Sequence, residues 1–469
     1  MITVDVGSQN ASFDCIIDSG SADLWIPSDL FCEKESGCTN DGYNPNASTT
    51  ANATGYNYSI DYVGSKGYTG QIYNDTVNVA GFELKNAQFA SVNDGETPQP
   101  IAGIGYPGLN NKPPYYKNLP QQMKEQDFID NFGYGIYLDS LNSSDGLIVF
   151  GGVFTEGYTG KYKQLPILDT SSVSSVLSSL YIDFGGANDT EDAWVLQTPI
   201  RALFDTGSTA LILPTDMHKK VLEILDIQPS DDGDVFDCSK YDQNEAAFKF
   251  NFLGVDIDVP FNVISYPTND THCHAAVSAI DGDYVILGEF FLRATTLYFD
   301  LENQLISIAQ AKLNQDHDAL IDSVAEVPSG GVYFEKAPHF EKTQVSSAPK
   351  GTSITPYSTA TGGGGGGFPF SFNFAKEANT SSSSVEAKET GNSVGGIDIS
   401  KIGGFIPDLG VGLHKRNDSG ADTTFSSVMS TSSDAVSHDI SSYEAGASSS
   451  KGSGIISIVM VLLSAVCLL

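Results

Sequence analysis

Short apolar runs separated by polar turns fill the first two thirds of the chain. Met1–Val6, Phe13–Ile17, Leu147–Phe150, Leu211–Leu213 and Leu305–Ala309 each read as strands rich in β-branched and large aliphatic side chains. Clusters of Gly, Asn and Asp between them supply the turn chemistry of antiparallel hairpins. The pattern predicts a mainly β fold. Helical periodicity is confined to two stretches. One is Leu119–Ile129, with Pro120 in its first turn; the other is Pro214–Leu225, with Thr215 as N-cap.

Near residue 312 the pattern stops. Residues 313–446 are rich in Ser, Thr and Gly, with Gly362–Gly367 and Ser381–Ser384 as extreme runs. Such a segment buries too little apolar surface to offset its ordering entropy, so it is predicted to be a disordered stalk. The last residues reverse this, because Gly454–Leu469 is apolar to the end. That run is short for a spanning helix, which needs about 20 residues. It follows the small residues Ala445–Ser448 and the polar spacer Ser449–Ser453. Small residues, spacer and apolar tail are the three parts of a glycosylphosphatidylinositol (GPI) attachment signal. Residues 447–469 are therefore predicted to be cut away, leaving a lipid near Gly446 that ties the protein to the membrane.

The 469 residues carry 24 Lys+Arg against 58 Asp+Glu, a formal net charge of −34. This excludes a broad basic surface for nucleic acid and a polybasic patch for anionic lipid. Charged residues at only 17%, with 47 Gly and 20 Pro, exclude a coiled coil or helical bundle. No phosphate-cradling glycine loop is present, and His272 and His274 flank Cys273 without further ligand spacing. Neither a cofactor nor a metal is expected. Ten Asn-x-Ser/Thr sequons, at Asn10, Asn46, Asn52, Asn57, Asn74, Asn142, Asn188, Asn269, Asn379 and Asn417, fit a secreted glycoprotein. An oxidising compartment permits the pairs Cys32–Cys38 and Cys238–Cys273, with Cys15 left as a buried thiol in an apolar run. Residue 1 opens directly into a strand pattern. A signal segment upstream of it is therefore expected.

The strongest signal is an internal echo. Ile16-Ile-Asp18-Ser19-Gly20-Ser21-Ala-Asp-Leu-Trp25-Ile-Pro27 returns as Leu203-Phe-Asp205-Thr206-Gly207-Ser208-Thr-Ala-Leu-Ile-Leu-Pro214 at a constant offset of 187. A second echo follows each copy, as Ile101-Ala-Gly-Ile104 and Ile286-Leu-Gly-Glu289. Matched landmarks imply two similar lobes about a pseudo-twofold axis, residues 1–162 and 163–312. In each copy a buried strand delivers an Asp to a tight turn, and Gly permits the bend. Across the axis Asp18 and Asp205 would face each other. Two carboxyls that close share a proton, so one serves as base and one as acid at the same pH. That pairing suits activation of a water against an amide carbonyl.

These residues resemble the pepsin-like aspartic proteases over about residues 1–312, and most nearly the surface-anchored and secreted fungal enzymes, the yapsins and candidapepsins. Supporting stretches are Phe150-Gly-Gly-Val153 with Tyr158-Thr-Gly160, and Ile286–Arg293 with Tyr298–Leu301. The resemblance implies a bilobal β fold and acid-pH hydrolysis of peptides or proteins by a monomer at a yeast cell surface, with wall glucan as a further contact. Asp18 and Asp205 would be the catalytic pair. Ser19 and Thr206 would brace the two loops, and Ser21 and Ser208 would bond the outer carboxylate oxygens. Tyr58–Gly70 is similar to the flap hairpin of the family, with Tyr62 as the flap tyrosine near the Trp25 indole. Val63 stands where the family has Gly, and the first motif is Asp-Ser-Gly, which keeps the hydroxyl. A yapsin-type preference for basic residues would draw on Asp61, Asp14 or Asp127. The rival reading, a catalytically silent surface or wall protein, would be signalled by loss of either Asp or of both hydroxyl neighbours, and all four are present.

Overall fold

The computed structural model describes residues 1–342, apart from 36, 63–66, 107–116, 141, 142, 144, 186–192, 228–234 and 270, together with the backbone of 458–463. Val63, most of the predicted stalk and Gly446 lie outside the described residues.

The apolar runs form the strands Ile2–Val6, Ala11–Asp18, Asp145–Phe150, Leu211–Pro214 and Leu305–Ala311, of which the first is one residue shorter than its run and the others are longer. In the first of these, Ile2, Val4 and Val6 are buried while Thr3 is exposed, as a one-sided strand requires. The helix predicted over Leu119–Ile129 runs only from Leu119 to Glu125. Asn118 caps it by accepting from the Gln121 amide at 2.9 Å, and Asp127 ends it with a φ of 60°. In the second helix, Thr215–Ile224, the expected cap is corrected. Thr215 is already helical, and its hydroxyl donates to the Ile280 carbonyl at 3.2 Å.

The first lobe is a seven-stranded sheet in the order Ile2–Val6, Ala11–Asp18, Ile101–Gly103, Leu24–Pro27, Phe82–Asp94, Tyr68–Val79, Asn52–Ile60. Ile2–Val6 also pairs with Tyr68–Val79, which closes the sheet on itself. The second lobe holds a five-stranded sheet, Ser174–Leu177, Ile200–Phe204, Tyr284–Leu287, Leu211–Pro214, Val277–Ile280, beside a four-stranded one. A third sheet joins the lobes. It contains Gly133–Tyr137, Thr295–Asp300, Leu305–Ala311 and Tyr158–Pro166, so a boundary between residues 162 and 163 falls inside a shared strand. Every residue of Thr295–Asp300 is buried, and one apolar cluster runs from Ile2 in the first lobe through Phe299 to Phe204 in the second.

The two echoes have one structural meaning. Ala11–Asp18 runs parallel to Ile101–Gly103, which is antiparallel to Leu24–Pro27. The second lobe repeats this: Ile200–Phe204 runs parallel to Tyr284–Leu287, which is antiparallel to Leu211–Pro214. In each lobe the second echo is thus the strand clamped between the two arms of the Asp loop. Its glycine is forced. A Cβ on Gly103 would lie 2.3 Å from the Asp23 nitrogen, and one on Gly288 would lie 2.3 Å from the Ala210 oxygen.

Two departures concern the end of the chain. The ordered body does not stop at residue 312. A helix at His317–Asp322 follows, and then Val324–Glu326 pairs with Gly152–Phe154. Glu335–Lys336 pairs with Tyr158–Pro166, and the Ala337 and His339 amides donate to Gln164 and Leu253 carbonyls. Leu320, Val327 and Ala337 are buried by this strap. The ordered body therefore extends through residue 342, past the boundary expected at 312. In addition, Ile458–Leu463 of the apolar tail forms an antiparallel strand on Asp145–Phe150, at the edge of the shared sheet.

Both disulfides form, Cys32–Cys38 and Cys238–Cys273. Cys15 is free and buried, and its burial pushes the thiol well above its ordinary range, so it is inert.

Candidate active site

The two Asp loops meet at the junction of the lobes. Ser19 Oγ donates to the Phe204 carbonyl at 2.8 Å and accepts from the Thr206 amide at 3.0 Å. Thr206 Oγ1 returns the pattern, donating to the Ile17 carbonyl at 2.8 Å and accepting from the Ser19 amide at 3.0 Å. Four reciprocal bonds lock the loops tip to tip. Each uses the hydroxyl as donor and acceptor at once, which Ser and Thr satisfy equally.

The carboxyls are held in matching cradles. Asp18 Oδ1 accepts from the Gly20 amide at 2.8 Å, and Asp205 Oδ1 accepts from the Gly207 amide at 2.9 Å. The outer oxygens accept from hydroxyls: Ser21 Oγ donates to Asp18 Oδ2, and Ser208 Oγ donates to Asp205 Oδ2 at 2.6 Å. Each motif glycine also makes room for the opposite carboxyl. A Cβ on Gly20 would lie 2.6 Å from Asp205 Oδ1, and one on Gly207 would lie 2.6 Å from Asp18 Oδ1. The inner oxygens thus face each other across the axis. Asp18 is held well above the usual carboxylate range. Burial is the main cause, followed by the charge of Asp205 and a hydrogen bond to it. One proton shared between the two is the low-energy state.

A hairpin covers this pair. Asn52–Ile60 and Tyr68–Val79 are antiparallel, and Tyr62 sits between them in sequence. Trp25 Nε1 donates to the Tyr62 hydroxyl at 2.9 Å. Burial, and then the charges of Asp18 and Asp23, push the Tyr62 phenol far above its ordinary range, so it is neutral at every working pH. Ser21, whose own proton goes to Asp18, partly offsets that rise in the Tyr62 phenol, so the flap tyrosine is tied to the Trp25 indole and stands beside the Asp18 cradle. Tyr62→Phe leaves the Trp25 N–H buried without its acceptor, at about 1–3 kcal/mol. The expected result is a fall of roughly tenfold in kcat/KM with a melting temperature lower by about 2–6 °C, read by peptide hydrolysis and calorimetry.

Of the acidic candidates for a basic-residue pocket, only Asp61 lies beside Tyr62. Asp14 is exposed on the first hairpin and accepts from the Thr3 hydroxyl at 2.8 Å, and Asp127 is exposed at a helix end. Two further groups at the site were not singled out by the motifs. Asp23 is buried and its charge helps to raise the Tyr62 phenol, and Tyr284 lies near Asp205, its phenol pushed up to about 12 by burial and by the charges of Asp283 and Asp205. The sequence did carry a clue to Asp23, since its partner in the echo is Ala210.

Two β lobes that bring paired Asp loops face to face under a hairpin define an aspartic-type endopeptidase, a hydrolase of peptides and proteins. The chain belongs to the eukaryotic aspartyl protease family, whose model matches residues 1–311. It is 30% identical over 329 residues to candidapepsin-1 of Candida albicans (strain WO-1), covering 66% of this chain and 80% of that protein. It is 32% identical over 318 residues to secreted aspartic protease 8 of Candida albicans (strain SC5314 / ATCC MYA-2876), covering 66% and 75%. The acid protease of Saccharomycopsis fibuligera is 27% identical over 323 residues, covering 66% and 80%.

Proposed function

We propose that Asp18 and Asp205 are the catalytic pair of this endopeptidase, working in acid, with Ser19 and Thr206 as braces, Ser21 and Ser208 as orienting donors, and Tyr62 closing over the substrate. The observation that carries this reading is the reciprocal cradle that aims two inner carboxyl oxygens at one point. A water there loses a proton to the ionised carboxyl as its oxygen attacks the scissile carbonyl carbon. The protonated carboxyl gives its proton to the carbonyl oxygen, forming a neutral gem-diol. The pair then returns a proton to the amide nitrogen, and the C–N bond breaks. The reaction needs one proton in the pair, so the rate falls when the pair is fully protonated and again when it is fully ionised. A bell-shaped kcat/KM profile with its maximum below neutrality, abolished by a statine-type mimic of the gem-diol, is the expected result. A flat profile from pH 3 to 8 would contradict it.

We also infer an extracellular, surface-held protein. The sequon residues Asn10, Asn46, Asn52, Asn57 and Asn269 are all exposed, as glycan attachment demands, and two disulfides are formed. The tail composition supports GPI transfer near Gly446. That transfer would remove Ile458–Leu463 and uncover the Asp145–Phe150 edge. Mass spectrometry of the mature C-terminus separates the outcomes: a lipid-bearing end near residue 446, or an intact tail. Asp61 supports a preference for Lys or Arg next to the cleaved bond, to be read from peptide libraries cut by wild type and Asp61→Asn.

A further inference from the structure

Tyr62 does not meet the Trp25 indole alone. Trp25 is completely buried, and its N–H donates to the Tyr62 hydroxyl at 2.9 Å. A third ring, Tyr68, closes the group. Its centroid lies 4.9 Å from that of Trp25, with the planes tilted by 34°, and 5.7 Å from that of Tyr62, edge to face at 74°. At both separations aromatic rings attract beyond the burial of their area. Tyr68 opens the returning arm of the hairpin, Tyr68–Val79, opposite Ile60 on the outgoing arm. It is 6% exposed while its neighbour Thr69 is exposed, so the alternation of the strand turns the ring in beneath the hairpin.

The same ring is held from the body of the lobe. Tyr68 Oη and Thr97 Oγ1 lie 3.3 Å apart. Gly95 makes the room for this, since a Cβ there would lie 2.3 Å from Tyr68 Cδ1. Gly95 and Thr97 directly follow the strand Phe82–Asp94, which runs parallel to Leu24–Pro27 with Ala90 opposite Trp25. Both arms of the hairpin and the strand that carries the indole therefore converge on one side chain. The group has no counterpart across the axis, because the echo sets Ile212 against Trp25.

We propose that Tyr68 is a positioning residue for catalysis: it fixes the Trp25 indole and the Tyr62 ring against each other and against the Gly95–Thr97 segment, and so sets where Tyr62 stands over the catalytic pair. This rests on the reading of Tyr62 as the residue that closes over the substrate. A hydrogen bond from Trp25 fixes a distance but lets the phenol pivot about the indole N–H. A ring packed on both partners removes that freedom. Misplacing a group beside the reacting atoms by about 1 Å costs up to about 10²-fold in rate, and loosening one of several restraints should cost less.

Trp25 and Trp194 are the two tryptophans, so a Trp194→Phe background makes emission a report on the surroundings of Trp25. In that background Tyr68→Leu should shift the emission and lower kcat by about tenfold, with KM within about twofold of wild type. Tyr68→Phe keeps the ring and should recover all but about threefold of the loss. In Tyr62→Ala, which has no ring left to position, adding Tyr68→Leu should cost less than about twofold more. Gly95→Ala presses on the Tyr68 ring without removing it, so it should lower kcat in the same sense, and it keeps the test open if Tyr68→Leu fails to fold. A kcat unchanged in folded Tyr68→Leu and Gly95→Ala, or a loss from Tyr68→Leu that is just as large in Tyr62→Ala, overturns the proposal. If Tyr62→Ala itself hydrolyses peptide as wild type does, the reading of Tyr62 fails; if it is impaired while Tyr68→Leu is not, only the role of Tyr68 fails.

Discussion

Asp205→Asn should lower kcat by about 10⁴-fold or more while leaving the fold intact. The amide is isosteric with the carboxyl, and its oxygen can still accept from the Gly207 amide, now at 2.9 Å. Ser208 needs only to rotate its hydroxyl to accept from the new NH₂ group. What vanishes is the shared proton. An amide can neither take the proton from the attacking water nor pass one to the leaving nitrogen. The neighbour responds as well. Asp18 is raised in part by the charge of Asp205 and the hydrogen bond to it, so its carboxyl should fall back towards the ordinary range, leaving burial as the remaining cause. Single-turnover peptide cleavage, far-ultraviolet dichroism and NMR titration of the Asp18 carboxyl check the three parts. A variant that keeps more than one per cent of wild-type kcat would remove Asp205 from the catalytic pair.

The site was legible because both halves of it are written in the chain. A single Asp-Ser-Gly is usually a turn, but two copies with matched flanks name the carboxyls, the braces and the glycines together. The physical reason is the twofold axis, since one loop design serves twice and its sequence is printed twice. Features made by packing were not printed. The strap after residue 312 holds its place with single buried residues, Leu320, Val327 and Ala337, scattered among Ser, Pro and Gly. Scattered apolar positions have no period to detect, so composition alone read that stretch as stalk. Thr215 looked like a cap because it precedes an apolar periodic run, yet the Ile280 carbonyl holds its hydroxyl and Pro214 occupies the cap position. Asp23 was given no role by the motif. Only the fold shows that it is buried against the strand Ile101–Gly103.

Arg293→Ala should be among the most destabilising single changes outside the catalytic loops, by about 3–5 kcal/mol. Arg293 lies in the conspicuous stretch that begins at Ile286, but the sequence gives no hint of its depth. Its side chain is 1% exposed and all three guanidinium nitrogens donate. Nε donates to Glu289 at 3.0 Å, with NH2 on the same oxygen, while NH1 reaches the Leu138, Asp139 and Ser140 carbonyls at 3.1, 3.2 and 2.7 Å. One side chain thereby ties the short helix Glu289–Leu292, which follows the clamped strand of the second Asp loop, to the segment after Gly133–Tyr137 in the shared sheet. Truncation strands one carboxylate and three carbonyls and leaves a cavity. No neighbour among the described residues is placed to replace five donors in a planar fork. Arg293→Lys keeps the charge and some of the bonds, so it should recover part of the loss. The expected melting-temperature drop for Arg293→Ala is about 5–10 °C, with kcat/KM at 25 °C changed far less than by Asp205→Asn. That contrast separates the two kinds of buried charge in this protein. Arg293 fixes where the lobes meet, and the paired aspartates act at the point so fixed. A loss of activity in Arg293→Ala at temperatures where calorimetry shows the protein fully folded would mean that the stitch also sets the geometry of the Asp loops.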